Sequence, residues 1–117
     1  MSMQEADRVS AAVATEPRVA LADIEAAISE RYDFVASDAV QALGFPTSAN
    51  TPHPLSVLSV CILVMRNGFT VIGKSAPASP ANFNADLGRK FAYDDAIRQL
   101  WPLMGFALRE KLAAGHI

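Results

Sequence analysis

Cysteine and histidine are scarce in this sequence. Among 117 residues there are one Cys and two His. That excludes a disulfide framework and any centre built from several Cys and His ligands. Long apolar runs are missing as well. The longest, Val60 to Met65, is six residues, where a membrane-spanning helix needs about 20. The first twenty residues carry Glu5, Asp7, Arg8, Glu16 and Arg18, so the apolar core of a secretory leader is not there. The expectation is a cytoplasmic chain with no membrane contact and with Cys61 reduced. Charge of one sign is also lacking. Ten basic residues stand against 12 acidic ones, a net of −2, so no overall basic field exists to hold nucleic acid non-specifically. What the chain does have is apolar content: 51% hydrophobic against 19% charged. This composition excludes intrinsic disorder, and the length suits one domain.

The charge is uneven along the chain. Residues 1–50 hold 3 basic and 8 acidic residues, and residues 51–117 hold 7 basic and 4 acidic. The simpler reading is that the acids solvate N-terminal helices. The sharper one is that the C-terminal half faces an anionic ligand, a partner, or the acidic half of another subunit.

Residues 1–18 are small, polar and Ala-rich, and read as a flexible N-terminal tail or a frayed helix, closed by Pro17. Residues 19–117 make a single small domain. Leu21, Ile24 and Ile28, with Ala20 and Ala27, have helical apolar spacing, which predicts a helix over 19–32. Residues 33–54 read as a variable connector. Within it Ser37 and Asp38 cap a short helix over Ala39 to Leu43, stopped by Gly44. Leu55 to Met65 and Phe69 to Ile72 flank Asn67-Gly68, the strongest short signal for a β-hairpin, since both turn residues must tolerate positive φ. Strands are predicted over 56–66 and 69–75. Ser79 and Pro80 suit a helix start. A long helix is predicted from there, one piece over 80–100 and a second over 102–113, because Pro102 should kink or break it. The fold class is therefore α+β: an N-terminal helix, a β-hairpin and a long C-terminal helix kinked or broken at Pro102. The first hairpin strand is apolar on both faces from Val60 onward, which normally means both faces are covered. A lone hairpin is marginal in water. It must be sandwiched by helices, extended by another strand or paired across subunits, which makes a homo-oligomer the expected state.

Few residues suggest chemistry. Gly68-Phe-Thr-Val-Ile-Gly73-Lys74-Ser75 has the spacing of a phosphate loop, but that mechanism needs a helix starting at the Lys. Here strand formers precede Lys74 and Ala76-Pro77 follow. Gly68 then closes a turn and Gly73 permits a bulge or close packing. Lys74 and Ser75 remain candidates for weak anion binding beside the start of the long helix. Asp86, Lys90, Asp94 and Arg98 repeat every four residues with alternating sign, the pattern of a solvated, mutually paired helix face. Arg89 sits off that row, and with Lys90 completes the candidate ligand-binding set. Cys61 lies mid-strand among apolar neighbours and reads as a buried thiol, not a nucleophile. His53, between prolines, reads as a loop residue. Trp101, Met104 and Phe106 read as core or, if exposed, as an oligomer interface. No catalytic set, metal site or cofactor site is read from the sequence.

A longer signature runs through the chain: Arg66-Asn-Gly-Phe-Thr-Val-Ile-Gly-Lys-Ser-Ala76, Ser79-Pro-Ala-Asn-Phe83, Leu87-Gly-Arg-Lys-Phe-Ala92, Ala96, Trp101-Pro-Leu103, Gly105-Phe106 and Leu108-Arg109. It resembles the small tailed-phage protein family named for gene 49 of one phage and gene 66 of another. The resemblance covers about residues 57–112 and the helix near Ala22–Tyr32. Phe106 stands where that family leads one to expect Tyr, and Pro77 where it leads one to expect Cys. The resemblance implies a phage or prophage origin and a bacterial host cytoplasm, and it carries over no catalytic residue. The functional expectation is a non-enzymatic, oligomeric binding protein that modulates host defence or metabolism by sequestering an anionic nucleotide or a host protein. The alternative is a nucleic-acid-binding accessory protein of phage DNA or RNA metabolism.

Overall fold

A computed structural model of the protein describes residues 2–14 and 16–115. In chain order the elements are α1 (Met3–Val13), α2 (Leu21–Ala26), β1 (Ile28–Val35), α3 (Ala36–Ala42), β2 (Ser59–Met65), β3 (Thr70–Ser75) and α4 (Ala85–Ala113). Short 3-10 turns at Pro54–Val57 and Pro80–Asn82 lead into β2 and α4. The class is α+β, with one antiparallel sheet of order β1-β2-β3 and α4 laid across it.

The hairpin forms where the sequence places it, but with a different turn. Only Gly68 has positive φ, at 87°, and Asn67 does not. The Gly68 N–H donates to the Met65 carbonyl at 2.9 Å and the Met65 N–H to the Phe69 carbonyl at 2.8 Å. This is a three-residue turn with its glycine in the left-handed position. Asn67 serves through its side chain, which accepts from the Phe69 N–H at 3.0 Å.

The helix expected over 19–32 is corrected to two elements. Helix α2 stops at Ala26, and the chain turns into β1. The carbonyls at the end of α2 are taken by a residue 40 positions away: Arg66 Nε donates to the Ala26 carbonyl at 2.6 Å. The Arg66 backbone N–H donates to the Ala27 carbonyl at 2.9 Å. β1 then pairs with β2 from Ile28 opposite Met65 to Val35 opposite Ser59. The hairpin is thus extended by a third strand, one of the three ways its apolar faces could be satisfied.

In the stretch read as a connector, α3 stops before Gly44, which has φ of 73° as the sequence suggested. Residues 3–13 of the stretch read as a flexible tail form α1. Ser2 caps it by accepting from the Glu5 N–H at 3.1 Å, and Met3 is buried. Asp7 ties α1 to α2, accepting from Arg18 at 2.8 Å and from the Leu21 N–H at 3.0 Å. Those two bonds, Arg18 first, hold its carboxyl below the usual range.

Helix α4 starts five residues later than Pro80 suggests, because Asn84 is the cap, accepting from the Leu87 N–H at 3.1 Å. Its 29 residues run unbroken through Pro102, so the expected pair of helices is one. Pro102 lies on the exposed side, as does Arg98, whose carbonyl loses its helical partner there. A solvent-facing carbonyl can bond to water instead, which lowers the cost of the missing bond.

The core lies between α4 and the sheet. Cys61, Leu63, Met65 and Val71 point up from β2 and β3 at Ala92, Ala96, Ile97 and Leu100. The helix sits close because its contact stripe is small: Gly88, Ala92 and Ala96 at four-residue spacing. A Cβ at Gly73 would overlap the Ala92 carbonyl oxygen and stand 2.9 Å from Ala96 Cβ. A Cβ at Gly88 would overlap Ser59 Oγ. Gly73 is therefore a close-packing glycine.

Gly73→Ala is expected to destabilise the protein by about 3 kcal/mol, since a backbone carbonyl cannot move aside as a side chain can. Thermal melting should show a fall of roughly 10 °C. Gly105→Ala, with nothing within 4 Å of the added methyl, is expected to raise stability by about 0.5–1 kcal/mol.

Candidate functional site

The four candidate ligand residues occupy three separate places. Lys74 is exposed on β3, with its side chain on the face of the sheet away from α4. Its backbone N–H is already bound to Asp95 Oδ2 at 2.9 Å. A carboxylate on that amide leaves no phosphate cradle at Gly73-Lys74-Ser75. Ser75 lines a shallow cavity of about 220 Å³ with Pro77, Phe83, Leu87 and Phe91. Arg89 lies on the other flank of α4, 3.5 Å from Asp86, beside a second cavity of about 220 Å³ lined by Asp33, Asp38 and Ser59. Two carboxylates against one guanidinium do not favour an anion there. Lys90 donates to Asp94 at 3.0 Å. The alternating charge row keeps its i,i+4 pairing at Lys90 and Asp94, while Asp86 is taken by Arg89 and Arg98 takes Asp95 at 3.8 Å.

The three candidate interface residues also separate. Trp101 and Met104 are half-buried and pack against the core. Trp101 borders α1 beside Met3 and Ser10, and Met104 faces Val19 and Asp23. Phe106 is 69% exposed.

Between β1 and α4 lies a polar cluster that helical periodicity conceals. Arg31 Nε donates to Asp33 at 2.8 Å, and its guanidinium stacks 4.0 Å from the centre of the Tyr93 ring. Cys61, fully buried, sits beneath them. Burial first, then the Asp33 carboxylate, pushes its thiol from 9.0 up to about 11. The thiol stays protonated near neutral pH and is no nucleophile. Among the described residues no group of three His, Cys, Asp or Glu is placed to hold a metal ion, and no helix is long and apolar enough to cross a membrane.

The opposite face of the sheet carries a surface the sequence only hinted at. Directly opposed residues share a face of an antiparallel sheet. The register therefore builds three rows: Glu30, Val64, Thr70; Tyr32, Ile62, Ile72; and Phe34, Val60, Lys74. No part of α4 reaches it, because α4 packs on the face of Cys61 and Leu63. Tyr32 is 52% exposed and Ile72 59%. The Tyr32 hydroxyl donates to Glu30 at 2.7 Å, which fixes the corner carboxylate. The apolar signal at Val60, Ile62 and Val64 was legible. Tyr32 and Phe34 were missed because β1 was read as helix and connector.

A family model described as the Phage protein (N4 Gp49/phage Sf6 gene 66) family matches residues 19–112. No curated protein and no solved structure matches the chain.

Iodoacetamide is expected to alkylate Cys61 only through global unfolding, so mass spectrometry should find it unmodified in native buffer and modified in urea. Its folded pKa lies above the unfolded value, so the unfolded chain loses the proton first. The stability this contributes is full below about 9 and is lost as pH rises from about 9 to about 11. Denaturant midpoints across that range check the loss, and Cys61→Ala should flatten it.

Proposed function

The chain belongs to this family of phage proteins, and on that basis we propose that it is a non-enzymatic accessory protein of a phage or prophage. In this reading it acts in the bacterial host cytoplasm, as an oligomeric binding protein that modulates host defence or metabolism. The observation that carries the reading is the uncovered apolar face of the sheet, centred on Ile62 between Tyr32 and Ile72. Such a face costs solubility unless something covers it, and contact is the use it serves.

Sequestration of a nucleotide through Lys74, Ser75, Arg89 and Lys90 is the less supported form, because those residues do not converge. The nucleic-acid alternative is weaker still. Arg89, Lys90 and Arg98 each have a carboxylate within 4 Å, so these three, the cations that suggested the reading, form no open row for a phosphate backbone.

Production of the chain in a bacterial host is expected to change the plating efficiency of infecting phages. Ile72→Lys should remove that change, and Arg89→Ala with Lys90→Ala should leave it. The opposite pattern would move the function to α4. A thermal-shift panel of mononucleotides and cyclic nucleotides should be flat. A nucleotide at 100 times its Kd would add about 2.7 kcal/mol, and such a shift would overturn the contact reading.

A further inference from the structure

We propose that the open face of the sheet is where two copies of this chain meet, face to face about a two-fold axis. The inference rests on the reading of that face as a contact surface and names its occupant.

Two observations select a second copy. The first is area. The chain exposes 7726 Å², whereas a compact monomer of this mass exposes about 6200 Å². Its radius of gyration is 17.5 Å and its dimensions are 58 × 28 × 17 Å, against a radius of about 13 Å for a compact domain of this length. The excess, roughly 1500 Å², is shared by the exposed loop over residues 43–52, the outer side of α4 and the open face of the sheet, so the chain has surface left to bury. The molecule is one helix layer on one sheet layer, which leaves the other face of the sheet uncovered.

The second observation is charge. A two-fold contact needs a surface complementary to itself. The face has an apolar centre in Ile62, Val60, Val64, Tyr32 and Ile72. Its only formal charges, Glu30 and Lys74, stand at diagonal corners. A two-fold axis in the interface, through Ile62 and across that diagonal, sets Glu30 over the partner's Lys74 at both ends. The strands then cross near a right angle, one of the two favoured sheet-on-sheet packings. Among the described residues no carboxylate lies within 4 Å of Lys74 Nζ, so its ammonium is available for this contact. The dimer is a four-layer stack with both α4 helices outside, where Leu87, Phe91 and Phe106 stay exposed for other partners.

Sedimentation equilibrium of the full chain is expected to give twice 12.5 kDa at micromolar concentration. Ile72→Lys should give a monomer with an unchanged circular dichroism spectrum. Glu30→Lys and Lys74→Glu should each weaken self-association about tenfold, by setting like charges together. The double exchange should return it to within about threefold of the starting affinity. Phe106→Glu should leave the dimer intact. A monomeric wild type, a folded Ile72→Lys dimer, a double exchange without recovery, or dissociation by Phe106→Glu would each overturn the proposal. A monomeric wild type whose effect on plating is still lost in Ile72→Lys would overturn the second copy and leave the contact reading standing.

Discussion

The close approach of α4 to the sheet is the constraint on which the rest of the structure depends. It is set by atoms that are missing. Gly73 and Gly88 have no Cβ, and Ala92 and Ala96 have only one carbon each beyond the backbone. Because the helix rides low over β3, its flank overhangs the strand's outer edge. Asp95 takes the Lys74 N–H there, and Gln99 donates to the Ile72 carbonyl at 2.7 Å. An edge strand with bare N–H and C=O groups is a template for unwanted pairing. The same stripe that makes the core thus lets helix side chains close the edge. Larger residues at Ala92 or Ala96 would lift the helix and expose both groups. The resemblance of Gly68 to Ser75 to a phosphate loop dissolves on the same ground, since each glycine answers to a backbone need of its own.

The elements differ in how far residue patterns disclose them. The hairpin was legible because Asn67-Gly68 is a local signal. The stop at Gly44 was legible because a left-handed cap favours glycine. β1 was hidden for a definite reason. Leu21, Ile24 and Ile28 do keep helical spacing, yet the first two belong to α2 and the third to a strand. On the α4 side of the sheet β1 carries Arg31 and Asp33, charged residues at the exposed edge that break the apolar alternation of a strand. They pair with each other, and the guanidinium lies over the Tyr93 ring. Only tertiary pairing with β2 discloses them. Pro102 misled in the opposite direction. A proline inside a helix is costly where its surroundings are buried, and here Arg98 and Pro102 both lie on the exposed side of α4. Of the candidate surface, β2 and β3 could be read and the third strand could not, since Tyr32 and Glu30 lie on the strand that was missed.

Charge counted along the chain also misled, in an instructive way. The acidic first half and basic second half are not two regions in space. β1 from the first half lies against β2 from the second, and Asp7 and Arg18, both from the first, bind each other. Within α4 Arg89, Lys90 and Arg98 are interleaved with Asp86, Asp94 and Asp95 at three- and four-residue spacing, and each of the three is drawn to one of them. Exposed pairs of this kind add little stability, about 0–1 kcal/mol each. Their effect is to cancel the field that a basic half would otherwise project.

β2 is apolar on both faces because it is meant to lose water on both. Under α4 its Cys61, Leu63 and Met65 are almost fully buried. On the other side Val60, Ile62 and Val64 are only half-buried, shielded by each other and by their strand neighbours. Fully burying a Val, Leu or Ile contributes about 1.5–3 kcal/mol, so three such residues left at most about a third wet forgo about 1–3 kcal/mol together. That is a noticeable fraction of the stability of a small domain, about 5–15 kcal/mol. A polar alternation on that face would leave the core under α4 untouched, because successive side chains of a strand point to opposite faces. Within one chain the apolar outer face contributes cross-strand packing such as Ile62 against Ile72. In the proposed reading its further rationale is the contact that covers it.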